Sequence, residues 1–164
     1  MILFKLHVIL FKLSLTVCLV TNGFVNFASG KGSFMARLSG GDDVPRVNTS
    51  ATGMAKFQLK IPEQSLNYRL NVTNLTGITG AHIHSGKLGQ IGPIVATLFN
   101  QNMTIPPTSK MNGLLAKGVI KSGDLQGPLK GRSVEELLSL ISRGAYVNVH
   151  TQQHQSGEIR GQIH

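Results

Sequence analysis

Alternation with a period of two limits the fold of this chain more than any other property. Phe34, Ala36 and Leu38 alternate with Met35 and Arg37. Ala55, Phe57, Leu59 and Ile61 alternate with Lys56, Gln58 and Lys60, and Leu66, Tyr68, Leu70 and Val72 with Asn67, Arg69, Asn71 and Thr73. A helix brings side chains to one face every 3.6 residues, whereas a strand does so every two. These segments therefore read as half-buried antiparallel strands, each with one face toward a core. Pro62-Glu63-Gln64 supplies a turn between the last two, which predicts a hairpin. Further strands are expected over 80–84, 93–99, 114–121, 145–150 and 157–163, separated by Gly- and Pro-punctuated loops over 85–92, 100–113 and 151–156. Many short strands at such spacing predict an all-β fold, an antiparallel β-sandwich or Greek-key barrel.

One segment departs from that period. Ser133-Val134-Glu135-Glu136 has the form of a capping box, with a hydroxyl to cap the first turn and a carboxylate three residues on. Leu137, Leu138, Leu140 and Ile141 follow at helical spacing, Arg143 falls in the last turn and Gly144 can close it. The pattern predicts one short helix of about 10 residues joining two strands.

The N-terminus reads differently again. Lys5 and Lys12 flank an apolar stretch that runs on through 13–20 and ends in Ala28-Ser29-Gly30. A basic start, an apolar run and a small-residue exit describe a secretory signal peptide over 1–30, which leaves a single domain over 31–164. Retention of that segment as an anchor is the alternative, and the only route to a membrane that the sequence offers. Leu15-Thr16-Val17-Cys18 faintly resembles a lipoprotein cleavage site, but Val17 stands where a small residue is expected. Cys18 is the only cysteine, so the exported domain must hold itself by its core and not by disulfides. A domain of this length buries about two-thirds of the surface its unfolded chain exposes.

The chain carries 16 Lys and Arg against 7 Asp and Glu. The lysines are spread along it, Trp is absent, and the two tyrosines are not interleaved with basic residues as a nucleic-acid stacking platform requires. Nucleic acid is therefore not an expected partner; a solvated basic surface is the plain reading, and a weak attraction to anionic envelope polymers or lipids stays open beside it. Asn48, Asn71, Asn74 and Asn102 each begin an N-x-[ST] triplet, the acceptor pattern for N-linked glycans in an exported chain.

Chemistry concentrates in two strand segments, Ala81-His82-Ile83-His84-Ser85-Gly86 and Ala145-Tyr146-Val147-Asn148-Val149-His150-Thr151. Alternation sends Ile83, Val147 and Val149 to the core and His82, His84, Asn148 and His150 to the opposite face. Imidazoles two residues apart on a strand stand about 6.5–7 Å apart. Three readings of the histidines stay open. They can be hydrogen-bonding residues beneath the loops, with Asn148 and Thr151 in the same polar network. They can be ligands for copper or zinc, with His154 as a fourth. They can also belong to a recognition face for a protein or glycan, together with Asn148, Glu158, Arg160 and Gln162. Glu158 and Arg160 share a face of the last strand, where an exposed ion pair is the plain expectation; orienting a site histidine is the other role open to them. Gly86 and its fellow glycines up to Gly92 read as a tight loop over the histidines.

Nucleophilic catalysis finds no support: there is no Gly-x-Ser-x-Gly elbow and no evident Ser–His–Asp set. Asp42 and Asp43 read as turn residues that bond locally, too few in oxygen ligands for calcium.

Leu38-Ser39-Gly40-Gly41-Asp42-Asp43-Val44-Pro45, Thr49-Ser50-Ala51-Thr52-Gly53 and the His82–His84 segment resemble the opening half of a CHRD (chordin-type) domain. Gly92 to Leu98, the His150 segment and Gly157-Glu158-Ile159-Arg160-Gly161-Gln162 resemble its closing half. Asp42-Asp43 departs from the Asn-Glu of many microbial members, and 101–110 is idiosyncratic. The resemblance spans 33–163 and implies an extracellular β-rich module. Its leading functional expectation is non-enzymatic binding of an extracellular protein or envelope polymer. The runner-up is a His-based copper or zinc protein, redox-active in the manner of the copper–zinc superoxide dismutases. Those β-barrels are similar in arrangement, but this chain lacks their second His and Asp cluster and their disulfide.

Overall fold

The computed structural model describes residues 32–101 and 109–164. The export segment read at 1–30 and the acceptor Asn102 lie outside these. Eight strands form one antiparallel sheet: β1 (Ser33–Ser39), β2 (Thr52–Lys60), β3 (Ser65–Leu75), β4 (Ile78–Ser85), β5 (Ile94–Asn100), β6 (Met111–Ile120), β7 (Ala145–Thr151) and β8 (Ile159–Gln162). A helix, α1 (Val134–Gly144), precedes β7, and three 3-10 turns occupy Gly40–Asp42, Ser122–Asp124 and Gly127–Leu129. Each expected strand forms, with ends displaced by a few residues.

The sheet runs in the order β5-β4-β7-β8-β1-β2-β3-β6 and curls into a nearly closed barrel. β2 and β3 pair as the expected hairpin, from Thr52↔Thr73 to Lys60↔Ser65. The chain then leaves β3 and enters β4 with only Thr76 and Gly77 between, although the two strands do not pair. Gly77 takes φ +67° there, a backbone region that side chains with a Cβ seldom enter. Across the seam between the end strands, Tyr68 Oη donates to Leu98 O at 2.8 Å and Gln126 N to Val95 O at 2.9 Å, beside an Ala96↔Leu125 bridge.

Alternation sorts side chains as the sequence predicts. Ala36, Leu38, Ala55, Phe57, Leu66, Leu70 and Val72 are buried, together with Ile83, Val95, Val147, Val149 and Ile159. Burying each large side chain contributes about 1.5–3 kcal/mol. Ile61 is an exception at 79% exposed, because it falls in the β2–β3 turn, past the end of the ladder. The helix forms with both halves of its capping box, Glu136 N donating to Ser133 Oγ and Ser133 N to Glu136 Oε2. It buries Val134, Leu137, Leu138 and Ile141, lies against β7 and β4, and passes from Gly144 straight into β7. Strand and helix are thereby fixed together, which sets where the β7 side chains stand.

Closure between β1 and β8 depends on Gly161, whose missing Cβ would strike the Arg37 carbonyl. Gly161→Ala is expected to lower stability by about 2 kcal/mol or more. Gly123→Ala, where a methyl meets nothing within 4 Å, is expected to stay within about 0.5 kcal/mol. Urea unfolding midpoints of the two variants check this, and equal midpoints would contradict a tight β1–β8 approach.

Candidate metal centre

β4 and β7 pair with His82 opposite Asn148, His84 opposite Tyr146 and Gly80 opposite His150. Ile83 pairs with Val147 inside the barrel, so all three imidazoles stand on the other side of the same two strands. Their ring centroids lie 5.9 Å (His82–His84), 5.1 Å (His82–His150) and 5.8 Å (His84–His150) apart. One ring nitrogen of each falls within 4.8 Å of the other two. Among the described residues this is the one such group of His, Cys, Asp or Glu.

This outer face is covered. His84 is 9% exposed, Asn148 4% and Arg160 1%, while His82 and His150 are half-buried. The loop over 86–92 folds onto it as its glycines predict. Gly92 O accepts from His84 Nδ1 at 2.9 Å, and Gly92 N donates to Tyr146 Oη at 3.2 Å. Lys87 O accepts from Arg160 and Gly86 O from Gln162. On the other side Gln155 O accepts from His150 Nδ1 at 3.0 Å.

Those two carbonyls decide the tautomers. A carbonyl oxygen only accepts, so Nδ1 of His84 and of His150 carries the proton and each Nε2 is left as a bare lone pair. Both Nε2 atoms are buried without a hydrogen-bond partner, as is Nδ1 of His82. One unsatisfied nitrogen from each ring is an expensive arrangement in a folded protein. Burial, reinforced by the neighbouring His150 and His84, pushes the His82 pKa down to about 4. Burial likewise lowers His84, outweighing the Gly92 carbonyl that favours its charged form. At neutral pH His82 and His84 are therefore neutral, the form that coordinates a metal.

The remaining polar residues divide between the orienting role left open for Glu158 and Arg160 and parts the sequence did not assign. Arg160 and Glu158 do not form the expected exposed ion pair; the one ion pair among the described residues is Arg132–Glu136. Both are buried, Arg160 beneath the 86–92 loop and Glu158 against Thr49 and Thr151. Arg160 lies over the Tyr146 ring at 3.5 Å, and Tyr146 stacks on His84 with 9° between planes and 5.0 Å between centroids. Arg160 and Tyr146 thus fix the plane of His84, which is the orienting role. Glu158 accepts from Thr49 and Thr151 at 2.8 Å each and ties two loops together. His154 stays outside the group; its carbonyl accepts from Thr151 N and Gly157 N and builds the turn that carries Gln155.

Asp43 was read as a local turn residue. It does bond the next amide, Val44 N, at 2.7 Å. It also reaches Asn148 Nδ2 at 3.4 Å and leaves Oδ2 buried and unpartnered. Gly157, with φ +136°, makes room for this contact, since a Cβ there would collide with Asn148 and Asp43. No sequence signal links residues 105 positions apart. Tyr146 was not singled out, although its sharing the period of Asn148 and His150 was the signal that could have placed it on that face.

A family model for the CHRD domain matches residues 34–163. Comparison with curated proteins and with solved structures gives no match. The match takes in every described strand but the first residue of β1, and both histidine-bearing segments, and on that basis the chain belongs to the CHRD-domain family.

Proposed function

We propose that His82, His84 and His150 form a binding site for copper or zinc on an extracellular CHRD module. The observation that carries this is the set of three buried, unpartnered ring nitrogens, one from each histidine. An ion at the centre of a triangle with 4.8 Å sides stands about 2.8 Å from each corner. Shifts of under about 1 Å bring the nitrogens to the usual bond length of about 2.0–2.1 Å. Neutral imidazoles suit zinc and copper, and carbonyls on the far nitrogens of His84 and His150 raise ligand basicity and hold ring orientation. A bound copper ion would supply one-electron chemistry. A paired copper–zinc centre finds no second cluster among the described residues.

CHRD domains are typically extracellular, and no described helix is long and apolar enough to cross a membrane. Those observations support the export reading. The second functional reading, a non-enzymatic module holding an extracellular protein or envelope polymer, draws its support from the basic excess of the chain and from a different face, taken up below.

Calorimetric titration of the metal-stripped protein with zinc, and competition with a chromogenic chelator for copper, is expected to show one ion per chain with micromolar affinity or better. His84→Ala is expected to weaken it at least about 100-fold, and Tyr146→Leu, which removes the ring stacked on His84, about 10-fold. Binding unchanged in His82→Ala would end the proposal.

The depressed pKa values also fix a pH dependence for the metal-free protein. His82 takes a proton at about pH 4 in the fold and near 6.5 when unfolded. Between those values the unfolded state binds more protons, so stability falls as pH is lowered from about 6.5 to about 4 and levels off below. His84 acts in the same direction. Denaturant midpoints across that range are expected to drop more steeply in the parent than in His82→Asn, and parallel curves would refute the assignment.

A further inference from the structure

The opposite wall of the barrel carries a second surface. On β2, β3 and β6, Lys56 pairs with Arg69 and Arg69 with Lys117, so three cations stand in one row directly across neighbouring strands. Arg37 on β1 lies diagonal to Lys56, since β1 sets Arg37 opposite Met54. All four side chains are exposed. At about 4.8 Å between strands the row of three spans about 10 Å. Like charges directly opposite on a sheet destabilise it, yet none of the four has an acidic partner among the described residues. None of these four strands contains an Asp or Glu. The segments outside the described residues contain no Asp or Glu either.

We propose that this face binds a linear acidic polysaccharide. A trough of about 570 Å³ runs along it, lined by Lys56 and Arg69 with Met35, Gln58, Asn67 and His164. Charges at strand spacing match carboxylates or sulfates repeated along a chain, and the amide of Asn67 in the trough and that of exposed Asn71 beside it suit sugar hydroxyls. A bilayer is a poorer fit. Among the large exposed apolar side chains described only Val119 lies on these strands, and these strands carry no exposed aromatic ring to anchor in headgroups. Nucleic acid would want stacking rings, and both tyrosines are turned at least partly inward. The inference deepens the binding-module reading and is independent of the metal site, which lies on β4 and β7 across the barrel.

The full chain, produced in a bacterial host so that Asn71 stays unmodified, is applied to immobilised polygalacturonate. Parallel measurements use phosphatidylglycerol vesicles and single-stranded DNA. Retention on the polysaccharide is expected, with affinity falling as salt rises. The double variant Lys56→Glu with Arg69→Glu is expected to weaken it at least about 10-fold. Lys121→Glu with Lys130→Glu changes net charge equally away from the row and is expected to have under about a 3-fold effect. Urea unfolding midpoints of every sample report that the fold is intact. Equal losses in the two double variants would assign retention to net charge and overturn the face while sparing the module reading. No retention of the parent would overturn both, and tighter binding to vesicles or DNA would replace the polysaccharide with that partner.

Discussion

The register between β4 and β7 is the constraint on which both the core and the candidate site depend. Ile83 and Val147 face each other inside the barrel, and His82 and Asn148 face each other outside it. A strand has only two faces, so a one-residue slip would carry the imidazoles into the core and the branched side chains out. That slip is opposed by every buried apolar residue on the two strands, among them Ala81, Ile83, Val147 and Val149. The forces that close the barrel therefore also place the three histidines. The backbone positions of the three histidines are fixed in this way, because separating the strands that carry them means breaking the ladder between them.

The wall that carries the site is nevertheless costly in isolation. Three imidazole nitrogens, one carboxylate oxygen of Asp43, the carbonyl oxygens of the Asn148 and Gln162 side chains, and Nε of Arg160 are all buried without partners. Each such group costs about 1–3 kcal/mol relative to a satisfied one. The rest of the wall is well bonded: Glu158 holds Thr49 and Thr151, and Arg160 and Gln162 hold the 86–92 loop. Among the described residues, buried unsatisfied side-chain atoms are thus confined to β4, β7, β8 and the loop that carries Asp43. Conflicts of this kind between local stability and global fold are where functional sites are expected.

How much of this was legible in the sequence follows from the range over which each interaction acts. Alternation and capping are local, so the strands, the β2–β3 hairpin and the Ser133–Glu136 box could be read directly. The convergence of His82, His84 and His150 needed only the assumption that two patterned segments pair. What escaped was long-range and set by loops. Glu158 and Arg160 looked like an exposed ion pair because alternation says which side a residue takes, not what folds over that side. Asp43 looked local because its nearest bond is to the following amide, while the same oxygen also accepts from Asn148 Nδ2, 105 positions away. The choice between sandwich and closed barrel was equally out of reach, since it depends on the seam where Tyr68 meets Leu98.

Electrostatics also narrows what ion this wall could hold. The three rings sit between two buried charges of opposite sign, Arg160 reached through Tyr146 and Asp43 reached through Asn148. Both act on His84, the arginine disfavouring its protonated form and the aspartate favouring it. A cation placed among the rings meets the same opposed fields, so the surroundings offer it little net attraction. Calcium and magnesium draw their affinity from charged oxygen ligands, and a single carboxylate set beyond Asn148 does not supply them. Zinc and copper gain theirs from covalent character with neutral nitrogen donors, which is the one resource this wall presents in triplicate. The identity of the ion is thus constrained by which charges the fold leaves out as much as by the ligands it brings together.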